Sequence, residues 1–181
     1  NLTLGNTILT NNATLSTGTG RGTITLNGTV NSNQTPNYSL SLNAGNRVQV
    51  NRTIGEPGQF LNGLSFEAAQ ILLGGDLNVT SGNLVFNNPV TLTDNVALRT
   101  SQGNIRFANT LNSTNGANDL ALSAANGDVF LQGRIGNSSA LGDITVSRAQ
   151  RFQTASTINS GSLQYRNGTG NVILGGDVTT R

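Results

Sequence analysis

The amino-acid sequence predicts an all-β chain wound as a β-solenoid, a parallel β-helix of about eight coils of roughly 20 to 27 residues each. Three observations carry that expectation. Apolar residues recur in pairs at spacing two, which puts both side chains on one face of a very short strand. The residues between pairs are Gly, Asn and Asp, which tolerate the left-handed backbone of tight turns. Long segments of the chain also resemble one another.

Taken in order, the pairs open near Ile24, Leu40, Val48, Leu64, Leu77, Leu84, Val90, Ile105, Leu120, Val129, Ile144, Leu163 and Val172. The stretch "LALSAANGDVFLQGRIG" (residues 120–136) shows the pattern: two alternating runs around a turn at Asn126, Gly127 and Asp128. In each run Thr, Ser, Asn, Gln or Arg occupies the opposite face. Strands of three to five residues are too short for a sandwich or an up-and-down barrel, whose strands are bonded side by side within one layer. They suffice when each is bonded to equivalent strands above and below, about 4.8 Å away, so that eight coils make a rod on the order of 40 Å long. In "FEAAQILLGG" (residues 66–75) the run "EAAQILL" is compatible with a short helix, but its matched copy "VSRAQRFQ" (residues 146–153) favours a strand and a corner.

A single constant offset, the one that sets Gly22 on Gly103, aligns "GTITLNGTVNS" with "GNIRFANTLNS" and places Val48 on Val129. It also places Ile54 and Gly55 on Ile135 and Gly136, and, with slight slippage, "LSFEAAQ" on "ITVSRAQ". A third echo begins near Ile158, following the plan of the segments from Ile8 and Val90. One repeating architecture therefore spans residues 1–181 as a single solenoid domain, expected to be a segment of a longer shaft or a subunit of a stacking fibre.

Composition excludes much chemistry. The chain lacks Cys, His, Met and Trp, and all ten basic residues are Arg. Without imidazole, thiol or primary amine in its side chains it has no Ser–His pair, no Schiff-base lysine and no thiolate or imidazole metal site. A net charge of +2, scattered Arg residues and eight aromatics do not make a nucleic-acid surface, and no apolar run reaches the length of a membrane span. Apolar residues recur along the whole length at low net charge, as in a chain that folds.

Carboxylates remain. Asp76, Asp119, Asp128, Asp143 and Asp177 each precede an aliphatic residue that opens a strand, a turn position where the side chain bonds backbone amides. Catalysis of glycoside chemistry would need two acids roughly 5 to 10 Å apart on one face, which linear spacing does not establish. The "GGD" runs at 74–76 and 175–177 carry only part of the calcium-binding nonapeptide pattern, and tight turns account for their glycines. The sequence accordingly singles out no catalytic, metal-binding or cofactor-binding residue. Outward rows of Thr, Ser, Asn and Gln, with Arg106, Arg134 and Arg148, suit either a solvated face or the binding of glycans; regular Thr ladders of an ice-binding kind are absent.

The runs "GNIRF", "DLALSAANGDVFLQGRIG", "LGDITVSRAQ" and "LGGDLNVTSGNLVF" resemble the repeats of large secreted bacterial surface proteins related to filamentous haemagglutinin. The nearest likeness is to the Gly/Asn/Thr-rich β-strand repeats of very long, particularly cyanobacterial, reading frames. The resemblance covers most of the chain from Gly22 onward. It implies a right-handed parallel β-helix, export by the two-partner route or a related one, and a role in adhesion or extracellular fibres. The family's secretion domain carries Asn-Pro motifs such as NPNG, whereas Asn88 and Pro89 are followed here by Val90, so the segment is similar to shaft.

"NLTLGNTILT" and "GGDVTTR" show neither charged nor helical caps, and an uncapped coil invites another to stack. The expectation is an extracellular structural or adhesive shaft without enzymatic activity, its partners being like copies or adjoining coils stacked end to end, and surface glycans. A carbohydrate-binding module is the alternative, and a carbohydrate-active enzyme a more distant one.

Overall fold

A computed structural model describes residues 1–33, 37–115 and 117–181, and contains no helix among them. The run at 66–75 is strand and corner: Leu64–Glu67 is followed directly by Gln70–Leu73. The helix-compatible reading fails because Phe66, Ile71 and Leu73 must all reach one interior, which alternation in strands achieves. No helix among the described residues is long and apolar enough to cross a membrane.

Every strand pairing among the described residues is parallel, and the strands form three faces. The first runs through Leu2–Leu4, Thr23–Leu26, Arg47–Val50, Gln70–Leu73, Val90–Leu92 and Leu111–Ser113. Single bridges through Ile135 then carry it to Ile158, which pairs with Val178. The second contains Thr7–Leu9 and Val30–Ser32, a bridge at Ile54, then Leu77–Val79, Val96–Thr100, Leu120–Ala124, Leu141–Arg148 and Ile158–Tyr165. The third runs from Ala13–Ser16 through Leu40–Asn43, Leu64–Glu67, Leu84–Phe86, Ile105–Phe107, Val129–Leu131 and Phe152–Thr154 to Val172–Leu174. Coil length varies, from a short turn of the rod between Ile71 and its partner Val90 to a long one between Ala13 and its partner Leu40. The expected parallel β-helix of about eight coils is what the chain forms.

The interior is a set of apolar columns. Ile24, Val48, Ile71, Val90, Leu111, Ile135 and Ile158 lie in register along the first face and are almost wholly excluded from solvent. On the third face Phe66, Phe86 and Phe107 stack with ring centroids 5.3 and 4.6 Å apart. Each such ring pair contributes about 1 kcal/mol beyond its buried area. Val129 is fully buried between Ile105 and Phe152, as its alternation with Phe130 requires.

Corners are closed by side chains as well as by backbone. Asn1, Asn6, Asn12, Asn83, Asn95, Asn104 and Asp119 each accept, through Oδ1, a backbone N–H from the following coil at 2.7–3.1 Å. This stacking of Asn and Asp explains their frequency: each satisfies an amide that the bend removes from the strand ladder.

The internal match is structural, with a twist that the sequence does not reveal. Val30 bridges to Ile54 and Ile54 to Leu77; at the matched positions Leu111 bridges to Ile135 and Ile135 to Ile158. Yet Ile24 lies on the first face and Ile105 on the third, Ile54 on the second and Ile135 on the first, Leu64 on the third and Ile144 on the second. The offset is three coils and about two thirds of another, so it moves every segment one face around the rod. The third echo is in phase with the segment from Val90, since Val172 shares a face with Ile105 and Val178 with Leu111, but one face away from the segment from Ile8.

Candidate functional site

Most of the acids singled out from sequence are structural. Asp76 and Asp119 accept the N–H groups of Ala97 and Asp143, at 2.8 and 2.7 Å. The amides they satisfy belong to the next coil rather than to their own turn. Asp128 pairs with Arg151 at 2.7 Å, and Arg151 also lies 5.2 Å from the Phe130 ring centroid. No group of three or more potential metal ligands occurs among the described residues. In the two "GGD" runs a Cβ on Gly75 would stand 2.2 Å from the Arg52 carbonyl oxygen, and one on Gly176 would stand 2.5 Å from the Ser156 carbonyl carbon. Close passage of neighbouring coils therefore accounts for those glycines.

The outward rows are heterogeneous. On the third face Thr14, Ser41 and Ser65 are followed in register by Val85, Arg106 and Phe130. Beside the first three, a groove of about 580 Å³ runs past Asn43, Glu67 and Asn88. Ser65 donates to Ser41 at 3.0 Å, and Glu67 is the sole carboxylate among the described residues that line the groove, so no acid pair forms there.

Chemistry is concentrated instead at the corner that follows Ile54. Gly55 has φ 78°, a conformation that a side chain strains, and a Cβ there would lie 2.3 Å from the Asn78 carbonyl oxygen. Residues 56–59 make a tight turn in which the Gln59 N–H donates to the Glu56 carbonyl at 2.8 Å. Pro57 presets its φ and Gly58, at φ 80°, supplies the left-handed position, as a type II turn demands. Buried Asn31 fixes the start of the turn: its Oδ1 accepts the Glu56 N–H at 2.9 Å, and its Nδ2 donates to Glu56 Oε2 at 2.6 Å.

The next coil supplies the rest. Buried Asn78 donates to the Gly55 carbonyl at 2.8 Å and accepts Arg99 Nη1 at 3.2 Å. The same nitrogen lies 3.5 Å from Asp76 Oδ2. With the two side chains 54% and 38% exposed, this ion pair contributes at most about 1 kcal/mol. Together with half-buried Phe60 and Thr53 these groups line a cavity of about 400 Å³, within the range of small-molecule sites. Two carboxylates, a guanidinium, an amide and two apolar surfaces thus face one hollow.

Sequence reasoning did not single out Glu56, Phe60 or Arg99. They come together only because one coil lies on another, and no run of residues contains them all. A signal was nevertheless available, since the turn at 56–59 is one residue longer than its copy at 137–139 and carries Pro, Gly and an acid in place of Asn and Ser. No family model, no curated protein and no solved structure matches the chain.

Proposed function

We propose that this chain forms part of the shaft of an extracellular bacterial adhesin or fibre, acting as a structural and adhesive rod without catalysis. The observation that carries the reading is the inter-coil ladder, which runs without interruption over about eight coils on three faces. Such a ladder makes length and stiffness the products of the fold. The likeness of "DLALSAANGDVFLQGRIG" and its companions to haemagglutinin-type repeats supports the same reading and a place at the bacterial cell surface.

The end coils add support. Ile8 is 57% exposed, and beside it an apolar hollow of about 240 Å³ is lined by Leu4, Leu9, Leu15, Val30 and Leu40 among others. In the last third-face strand Val172, Ile173 and Leu174 are 42–54% exposed. A further coil stacked on either surface, from the same chain or from a second copy, removes that apolar area from water and pairs the open strands.

The test is electron microscopy of the purified chain over a range of concentrations, with antibody labelling of source cells. End-to-end rods that lengthen with concentration and label at the cell surface are expected. Dispersed short particles at every concentration, together with label confined to the cell interior, overturn the proposal.

A further inference from the structure

We propose that the hollow at residues 53–60 is a binding site for an uncharged saccharide. The argument rests on a control that the molecule contains. The corner at Gly136 has the frame of the corner at Gly55: φ is 67°, a Cβ would meet the Asn159 carbonyl oxygen at 2.1 Å, and Asn159 Nδ2 donates to the Gly136 carbonyl at 3.3 Å. Asn112 accepts the Ser138 N–H at 3.0 Å, one residue further into its turn than Glu56, whose N–H Asn31 accepts. The frame is therefore complete with Asn137 in the place of Glu56, Ala140 in the place of Phe60, Thr157 in the place of Asp76 and Thr179 opposite Asn159, where Arg99 stands opposite Asn78. The second frame stands without Glu56, the ring or the guanidinium, and at the first corner these converge on one cavity beside Asp76, which also holds the Ala97 N–H.

The chemistry selects the ligand class. Two carboxylates against one guanidinium give the hollow a net negative charge, which disfavours uronates, sulfates and phosphates. Asp76 is committed to the Ala97 N–H and to Arg99, so a divalent cation finds too few uncommitted oxygens for its usual six to eight ligands. A sugar ring presents hydroxyls at its rim and C–H groups on its faces. Its hydroxyls donate to Glu56 and accept from Arg99, as charge-assisted bonds, while a C–H face covers Phe60 and Pro57. Of the Glu56 carboxylate, Oε2 is held by Asn31, which orients Oε1 without using it.

This site is independent of end-on stacking, so either proposal can fail alone. The experiment is calorimetric titration of the whole chain with neutral fragments of two to four units from β-glucan, chitin, mannan and galactan, with a uronate dimer and calcium chloride as charged comparators. Binding of at least one neutral fragment is expected. Glu56→Gln, which retains an acceptor for Asn31, and Phe60→Ala, which installs the residue of the second corner, should each weaken it at least about tenfold. Asn137→Ala should leave it unchanged. The double variant Glu56→Asn and Phe60→Ala, whose residues both occur on the second frame, should fold with unchanged circular dichroism and bind nothing. No neutral fragment bound at millimolar concentration, binding confined to the uronate or to calcium, or saccharide binding indifferent to these substitutions overturns the proposal.

Discussion

The corners at Gly55 and Gly136 share one backbone frame and carry different side chains on it. Each has a left-handed glycine, an Asn in the following coil that donates to the glycine carbonyl, and an Asn in the preceding coil that accepts an amide of the turn. One bears Glu56, Pro57 and Phe60 beside Asp76 and Arg99, and the other bears Asn137, Ser138 and Ala140 beside Thr157. Residues present in both belong to the fold; of those present in one, Asp76 also serves the fold through the Ala97 N–H, while Glu56 and Phe60 have no counterpart that the second frame needs. This separation is ordinarily drawn from relatives; here the chain supplies its own second copy.

Substitutions can break or sharpen that division. The largest effect is expected inside the rod, where Val48→Asp and Val129→Asp, at matched positions of the two copies, each bury an unpaired carboxylate at a fully enclosed site. Each should cost at least about 4 kcal/mol in denaturant titration and melt the adjoining coils. Unchanged thermal stability in either variant would refute its inward assignment. Next come Gly55→Val and Gly136→Val, which combine a strained φ with a clash against the carbonyl oxygen of the next coil. Losses of about 3 kcal/mol, alike at the two corners, are expected. A large loss at one corner alone would deny them a common frame.

The Asn pair should respond unequally. Asn78 makes a short bond to the Gly55 carbonyl and also holds Arg99, whereas Asn159 makes a longer bond and its buried Oδ1 has no partner. Asn78→Ala should cost about 2 kcal/mol and Asn159→Ala about 1 kcal/mol or less, since the second also removes an unsatisfied oxygen. The smallest effects belong to Thr145→Ala and Phe60→Ala, on half-exposed positions, each within about 0.5 kcal/mol. A substantial loss for Phe60→Ala would show that the ring serves the frame after all.

The rod itself was legible because its physics is local: "ITL", "VQV" and "LSF" alternate, and Gly, Asn and Asp mark where each run turns. The match between Val48 and Val129 was legible for the same reason. Its phase was not, because the face on which the second copy falls depends on the summed lengths of irregular coils. Asp76 and Asp119 could be assigned to turns, but whether their acceptors serve the same coil or the next is a matter of stacking. The hollow was hidden for that reason as well: Glu56, Asp76 and Arg99 are about one coil apart, a distance that means nothing until the coil length is known.

The Asn and Asp oxygens that bridge coils at the bends point the same way, each receiving a backbone hydrogen from the turn that comes later in the chain. Cleave such a rod anywhere and the bends of the two fresh surfaces differ, the earlier piece baring side-chain oxygens and the later piece the N–H groups they served, while the strand edges of both bare N–H and C=O groups alike. At the bends, rejoining in the original sense restores every such bond, whereas two identical surfaces brought face to face would oppose like with like. Direction is thus written into every cross-section of the molecule.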